Sequence, residues 1–397
     1  MNRDYDMVVI GAGISGLAMA FEAKQAGKSV LVLEKEARSG GCFHSASVPE
    51  SEQDFWLEMG THTCFNSYGR LIKILNQLAM IDQLQSRKKL RYRLFAERSI
   101  CSIPSRLHFL ELFTRAWRIF SLSKRDQSIA DYYSALVGPK NYAEVFKHAF
   151  SAVICQPASN VPADMLFRKR PRDKSITRSY TFPGGLSDII QALEAQLLVK
   201  TDQCIQSVRY DGEFYAVQTD ENTYHCDTLV CATPALAASR LLMDTHPEIA
   251  EQLNWVNEVE IESVGVVINK KDLLLDSIAG VIAVDGDFYS AVSRDYIDHP
   301  DLRAFTFHFK PGLLSHDEKM LRICDVLNVS LADFKHVFHK TNRLPAPDMG
   351  HLQLIEALDS ALIGTHLGLV GNYFNGVAVE DCLERVEKEF TRICPSA

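Results

Sequence analysis

Residues 7–16 read Met7-Val8-Val9-Ile10-Gly11-Ala12-Gly13-Ile14-Ser15-Gly16, and Glu34 follows a second apolar run, Ser29 to Leu33. The run that ends at Gly11 predicts a buried strand. The spacing from Ile14 to Ala26 predicts a helix closed by Gly27, and 29–33 predicts another strand. Strand, helix, strand is the unit from which parallel sheets are built. Inside it, each glycine of the G-x-G-x-x-G pattern has its own physical reason. Gly11 permits the tight turn, Gly13 lets a pyrophosphate reach the backbone, and Gly16 lets the helix pack closely on the strand. The helix start offers unpaired N–H groups and a partial positive charge to phosphates. Glu34, with Lys35 beside it, stands where an acid accepts ribose hydroxyls. The plainer alternative, a glycine turn beside an exposed glutamate, needs none of these parts to coincide.

The rest of the chain bounds what this unit serves. At 397 residues it is long enough for two or three lobes, and at 47% apolar and 23% charged it is an ordinary globular composition. The net charge of −8 argues against a nucleic-acid partner. Ten cysteines stand singly, without a C-x-x-C pair, which argues against a zinc site or a disulfide framework and for a reducing compartment. No metal is expected. The first strand already runs by Met7, so a cleaved leader is not expected, and no apolar stretch is long enough to predict a spanning helix.

Helical spacing is expected over 68–84 and 107–150, and after Gly184-Gly185. Strand patterns are expected over 204–232 and again over 255–310. Helices follow at 316–326 and 350–361, then a last strand, Leu367 to Val370, and a helix from about Val377. That last pair is too small to fold alone and is expected to rejoin the first sheet. The domain reading is therefore a discontinuous cofactor domain (1–70, 180–235 and 350–397), a helical substrate- or membrane-facing insertion (71–179) and a β-rich substrate domain (236–349). The fold class is α/β, a Rossmann-type domain with a mixed-sheet substrate domain and a helical insertion.

Further motifs carry a resemblance. Arg38-Ser39-Gly40-Gly41-Cys42-Phe43 follows Glu34, and Glu58-Met59-Gly60-Thr61-His62-Thr63 comes after it. Ser179 to Leu186 holds an aromatic-x-Gly-Gly-Leu junction, and Asp227 to Pro234 is an apolar strand ending Ala-Thr-Pro. Gly350-His351 and the block Gly371-Asn372-Tyr373-Phe374-Asn375-Gly376-Val377-Ala378-Val379-Glu380-Asp381-Cys382 close the series. Together these resemble the FAD-dependent amine oxidase superfamily, and the last block resembles its oxygen-dependent protoporphyrinogen and coproporphyrinogen oxidases. Cys42 and Phe43 stand where the superfamily often has an arginine, and Pro345-Ala346-Pro347 replaces a Pro-x-Tyr turn.

The resemblance implies noncovalent FAD held by Gly11–Gly16, Glu34, Lys35, Gly40, Gly41, Cys42, Gly60, Thr61, His62, Thr63, Ile205, Gly371, Gly376, Val377 and Ala378. No covalent-flavin signature is seen, and Cys382 is the thiol to exclude. His62 is as readily a packed histidine as a flavin neighbour. Val377 to Val379 are expected to start a helix whose N–H groups face the flavin edge that becomes anionic on reduction. The implied activity is oxidation of a tetrapyrrole, a porphyrinogen, in haem biosynthesis, by hydride transfer to flavin with dioxygen as acceptor. Arg93 and Arg168 are the candidate propionate contacts, Arg168 within a basic run to Lys174 that also reads as a solvated loop. No residue announces itself as a general base. The alternatives are another amine oxidase or desaturase on this scaffold, or a non-redox flavoenzyme such as a sugar mutase. The basic aromatic stretch 107–120 reads either as a core helix or as a peripheral membrane face, on a protein expected on the cytoplasmic side.

Overall fold

The computed structural model describes residues 3–49 and 55–395. Strand β1 (Tyr5–Ile10), helix α1 (Ile14–Gln25) and strand β2 (Val30–Leu33) form the expected unit, with β1 and β2 parallel and Val8 opposite Leu31. Every residue of β1 from Met7 onward is buried, as befits a central strand covered on both faces. Around it lies a seven-stranded sheet in the order 198–200, β2, β1, 223–231, 215–219, 205–210, with 367–369 pairing alongside 223–231. The strand Leu367–Leu369 thus rejoins the first sheet, parallel to Thr223–Cys231. The helix Val379–Ile393 packs on α1.

A second seven-stranded sheet runs 334–345, 258–269, 302–309, 288–293, 280–283, 92–96, 99–102. One face is apolar: Val264, Val266, Phe305 and Phe307 pack under the helix His316–Leu327, which Ser315 and Glu318 begin with a reciprocal capping box. The other face turns toward the first sheet. Together these make a mixed α/β fold, as expected.

Two elements depart from the sequence expectation. The interval 71–179 is not wholly helical, because Tyr92–Ala96 and Ser99–Ser102 form a hairpin on the edge of the second sheet. Phe334–Pro345 is a twelve-residue edge strand, and Pro345 is its last residue rather than part of a free proline turn. An edge strand has one unpaired flank, so its sequence (Lys335, His336, His339, Lys340) is polar and hides the apolar alternation that marks central strands.

The returning C-terminal segment is held by a buried cation. Arg385 is 1% exposed, donates from Nε to Leu369 O at 2.9 Å, pairs with Asp359 and with Glu389 (3.0 Å), and lies 3.6 Å over the Phe374 ring. Without Arg385, among the described residues Glu389 would keep only Arg392 as an ion-pair partner, Asp359 only Lys388, and the buried Leu369 carbonyl would lose its side-chain donor. Arg385→Ala is expected to lower unfolding free energy by about 3–5 kcal/mol in urea titrations. A loss under about 1 kcal/mol, the size for a surface pair, would contradict this role.

Candidate flavin site

Three glycine-bearing segments meet at one seam. Gly11 has φ +104°, and a Cβ there would lie 2.8 Å from Ala232 O; a Cβ on Gly16 would lie 2.0 Å from Gly11 O. Gly13 pairs with Gly40 as an isolated parallel bridge, and Gly40 N donates to Ala12 O at 2.7 Å. A Cβ on Gly60 would sit 2.2 Å from Cys42 O, and Thr61 N donates to that same oxygen at 2.9 Å. Gly13 alone is different, since a Cβ there would meet nothing within 4 Å. The turn therefore keeps open space over the one glycine whose reason is approach of a pyrophosphate, beside a helix start whose cap residue supplies no side-chain hydrogen bond.

Glu34 is buried at the end of this turn. Its Oε2 accepts from Ala12 N at 2.7 Å and its Oε1 from Glu36 N at 3.0 Å. Gln203 N donates to Glu34 O at 2.8 Å, which brings the loop ahead of Ile205 to the same end of β2. Lys35 points to solvent and pairs with Glu36. Arg38 turns inward, donating to the carbonyls of Ser39, Gly41 and Phe43, and so shapes the Gly40-Gly41 turn. These residues fit a flavin dinucleotide: an open glycine, a helix start and a buried acid stand together.

Glu58 anchors the next segment. Its carboxyl accepts from Leu186 N and Ser45 Oγ, each at 2.8 Å. Gly185, at φ +87°, leaves room for that anchor, because a Cβ would lie 2.3 Å from Ser45 Oγ. Burial pushes Glu58 up to about 7, against the opposing pull of those two hydrogen bonds.

Beyond this segment, the second sheet presents a row of polar side chains that sequence reasoning missed. Ser263 and His308 lie opposite each other, with Ser263 Oγ and His308 Nδ1 3.0 Å apart. Asn342 Nδ2 donates to Met59 O at 2.8 Å and to Ser263 Oγ at 3.2 Å. Lys340, opposite Ser263 in the register, reaches Gly41 O at 2.6 Å. His62 stacks on His308 with ring centres 6.5 Å apart. Arg87 donates to His62 O at 2.7 Å and lies 3.5 Å over the Tyr296 ring. Burial drives His62 down to about 4, with Arg87 adding to the effect, and His308 down to about 3. Both imidazoles are neutral at ordinary pH. Burial and then Arg38 bring Lys340 down to about 8. The period-2 spacing of Ser263 with Gly265, and of Lys340 with Asn342, was the signal available in the sequence.

The expected helix start at Val377 is corrected. The last helix begins at Val379 with Ala378 as its cap, so Val377 lies before it. Gly376, at φ +137°, has its Cβ position 2.8 Å from Asp381 Oδ2. Arg168 is engaged by acids: its guanidinium pairs with Asp381 at 3.1 Å and Glu384 at 2.9 Å, and Arg170 joins it on Asp381. Arg93 lies opposite Val281 in the register, on the face under the helix 316–327, whereas the polar row occupies the other face. His351 is buried and bonds through Nε2 to Tyr373 O, so it ties the Gly350-His351 pair to the Gly371 block from below. Gly371 itself follows the strand beside Cys231. Thr63 Oγ1 accepts from Arg87. Cys382 is buried among α1 and the last helix, and burial pushes its thiol up to about 12.

A family model described as flavin containing amine oxidoreductase matches residues 14–268. The chain belongs to that family. This flavin-containing oxidoreductase also superposes on solved structures along nearly its whole length. A candidate protoporphyrinogen oxidase from Exiguobacterium aligns with TM-score 0.75 and 16% identity, over 96% of this chain and 97% of that one. A fatty acid isomerase from P. acnes gives 0.75 and 15%, over 99% and 100%. A redesigned putrescine oxidase gives 0.73 and 14%, over 99% of each. At such identities the likeness is one of fold. Among curated relatives, an all-trans-retinol 13,14-reductase from Danio rerio is 48% identical over 60 residues, 15% of this chain and 9% of that protein. A Dictyostelium discoideum flavin-containing monoamine oxidase A candidate is 31% identical over 80 residues, 20% of this chain and 17% of its own length. The match thus spans less than a fifth of either relative.

Two outcomes follow. Glu34→Ala should weaken FAD binding by roughly 1–3 kcal/mol in a fluorescence titration of apoprotein, the size for a lost charge-assisted hydrogen bond; unchanged affinity would contradict the assignment. Glu58 holds its proton more tightly folded than unfolded, so its contribution to stability is full below about 4.5 and is lost as pH rises through about 7. Glu58→Gln should flatten the fall in melting temperature across that window, and an unchanged slope would show that Glu58 does not titrate there.

Proposed function

We propose that this chain binds FAD noncovalently and oxidises a porphyrinogen to a porphyrin, with dioxygen as acceptor. The observation that carries this reading is the charge state of the seam. Beside the glycine turns stand two neutral imidazoles and a serine and an asparagine already engaged in hydrogen bonds, with no carboxylate free to act as a base among the residues of that row. A reduced tetrapyrrole loses hydride from an sp³ bridging carbon with its own pyrrole nitrogens assisting, so it asks little of a protein base. The C-terminal Gly371–Cys382 block supports the same branch of the family.

FAD, when bound, supplies the two-electron acceptor for each step. The chain's own residues do the rest. Glu34 and the α1 start would hold the dinucleotide, and Arg38 and Glu58 fix the Gly40-Gly41 turn and the Gly185 junction beside it. The apolar wall of Leu57, Met59 and Val267 keeps water from the seam. Lys340 and Arg87, which reach Gly41 O and His62 O, are the cations this reading assigns to substrate carboxylates. Tyr373 and Phe374 are buried in the core below the first sheet, under Arg385, so they form no aromatic pair open to an amine. Cys382, a buried thiol, is poorly suited to covalent attachment, which supports noncovalent binding.

A second reading, a retinoid or isoprenoid oxidoreductase, is favoured by the local identity to the retinol reductase and by the apolar wall. Aerobic turnover separates them. With coproporphyrinogen or protoporphyrinogen, the holoprotein should form fluorescent porphyrin and about three hydrogen peroxide per porphyrin, since six electrons leave in pairs. Rates no higher than autoxidation, with reduction of all-trans-retinol by holoprotein whose flavin has first been reduced anaerobically with dithionite, would replace the first reading by the second.

The pH profile adds a second check. His62 and His308 are already neutral, so no inflection is expected near the ordinary histidine value of 6.5. An inflection near 8 is expected from Lys340. Lys340→Met should remove it; a profile for the variant that keeps the same inflection would exclude Lys340.

A further inference from the structure

The helical region carries an apolar surface with no partner. Over the helix Phe109–Arg115 and the turn that follows, Phe109, Leu110, Phe113, Trp117, Ile119 and Phe120 are all exposed, Phe113 to 82% and Phe120 to 92%. At roughly 150–250 Å² for each aromatic side chain, these amount to on the order of 700 Å² of apolar surface, above the largest patch usual on a monomer.

The segment is well anchored. The Glu111 carboxylate turns inward, accepting from Asn141 N and Asn141 Nδ2, each at 3.0 Å. Asn141 Nδ2 also donates to His108 O and Val137 O. Gly138, at φ +94°, leaves space for that carboxylate, because a Cβ would lie 2.1 Å from Glu111 Cδ. Leu112 and Leu122 pack into the helical core below. One face is fixed to the protein while the other holds its large side chains in solvent.

Charge selects the occupant. Arg115 and Arg118 stand among the exposed apolar groups, and neither has an ion-pair partner among the described residues. The one acid inside the helix, Glu111, is committed inward. Trp117 donates from Nε1 to Thr114 O, which satisfies its polar edge and leaves the ring outward. Large apolar groups with interspersed free arginines and a tryptophan suit the boundary between acyl chains and anionic headgroups. A second copy of the chain suits it less, because a twofold contact would set each Arg115 and Arg118 near its own counterpart. On a chain of net charge −8 this local cation excess is also what allows approach to an anionic surface.

We propose that residues 109–120 are a docking face for an anionic lipid bilayer, entered by Phe113, Trp117 and Phe120 and steered by Arg115 and Arg118. The attachment is monotopic, and no helix among the described residues is long and apolar enough to cross a membrane. The proposal stands whatever the substrate is.

The test uses the FAD-loaded full chain in vesicle flotation. It should float with vesicles of phosphatidylcholine mixed with phosphatidylglycerol and float several-fold less with phosphatidylcholine alone or in high salt. In a Trp255→Phe background, lipids brominated along the acyl chain should quench Trp117 emission, a readout that needs no change in the docking face. Arg115→Glu/Arg118→Glu should cut flotation at least several-fold, and Phe113→Ser/Phe120→Ser should abolish it, with flavin content and melting temperature unchanged. If the phenylalanine variant misfolds, the arginine variant and the quenching decide. Failure of the parent protein to float, quenching absent, or a stable dimer in light scattering that Phe113→Ser/Phe120→Ser converts to monomer would each overturn the proposal.

Discussion

Backbone-to-backbone contact at the glycine seam is the constraint on which the rest of the structure depends. Gly11 lies against the Ala232 carbonyl, Gly16 against Gly11, Gly40 against Ala12 and Gly60 against Cys42. At each of these positions a single methyl group would meet a main-chain atom, and main chain cannot move aside as a flexible side chain can. The seam therefore brings chain segments far apart in sequence to within van der Waals reach. Gly13, the one position left open, is where that packing leaves room for a ligand.

The electrostatics follow from the same closeness. Where backbones pack this tightly, ionisable groups lose water and shift toward their neutral forms. His62, His308 and Lys340 all move down, and Glu58 moves up. Other polar side chains are tied to backbone: Arg38 to carbonyls, Glu34 to N–H groups and Arg87 to His62 O. A seam with neutral imidazoles, cations and no carboxylate free in its polar row suits removal of hydride from a substrate that supplies its own electron density. It is poorly suited to chemistry that needs a charged base at the reacting carbon.

Much of this was legible in the sequence because it is local. Gly11–Gly16 with Glu34 sits within one strand–helix–strand unit, and the return of Leu367–Leu369 to the first sheet follows from the inability of a lone strand and helix to fold. What escaped depends on register and on long-range pairing. Lys340 and Asn342 lie on an edge strand whose polar sequence hides its period, and only its pairing with Glu258–Asn269 turns them toward the seam. Arg93 looked like a pocket cation until the pairing with Gly280–Ala283 set it on the opposite face. Arg168 looked free because its partners, Asp381 and Glu384, lie more than two hundred residues away. The helix near Val377 was misplaced by only two residues, within the usual uncertainty of helix ends.

In the proposed function, four separated stretches, 11–16, 40–42, 60–63 and 376–379, form one flavin cradle. Hydrogen exchange by mass spectrometry on apoprotein and FAD-loaded protein measures this directly. Saturating FAD should slow exchange in all four stretches together, and over the same range of FAD concentration. Protection confined to 11–16, with the other three stretches exchanging as in the apoprotein, would contradict it.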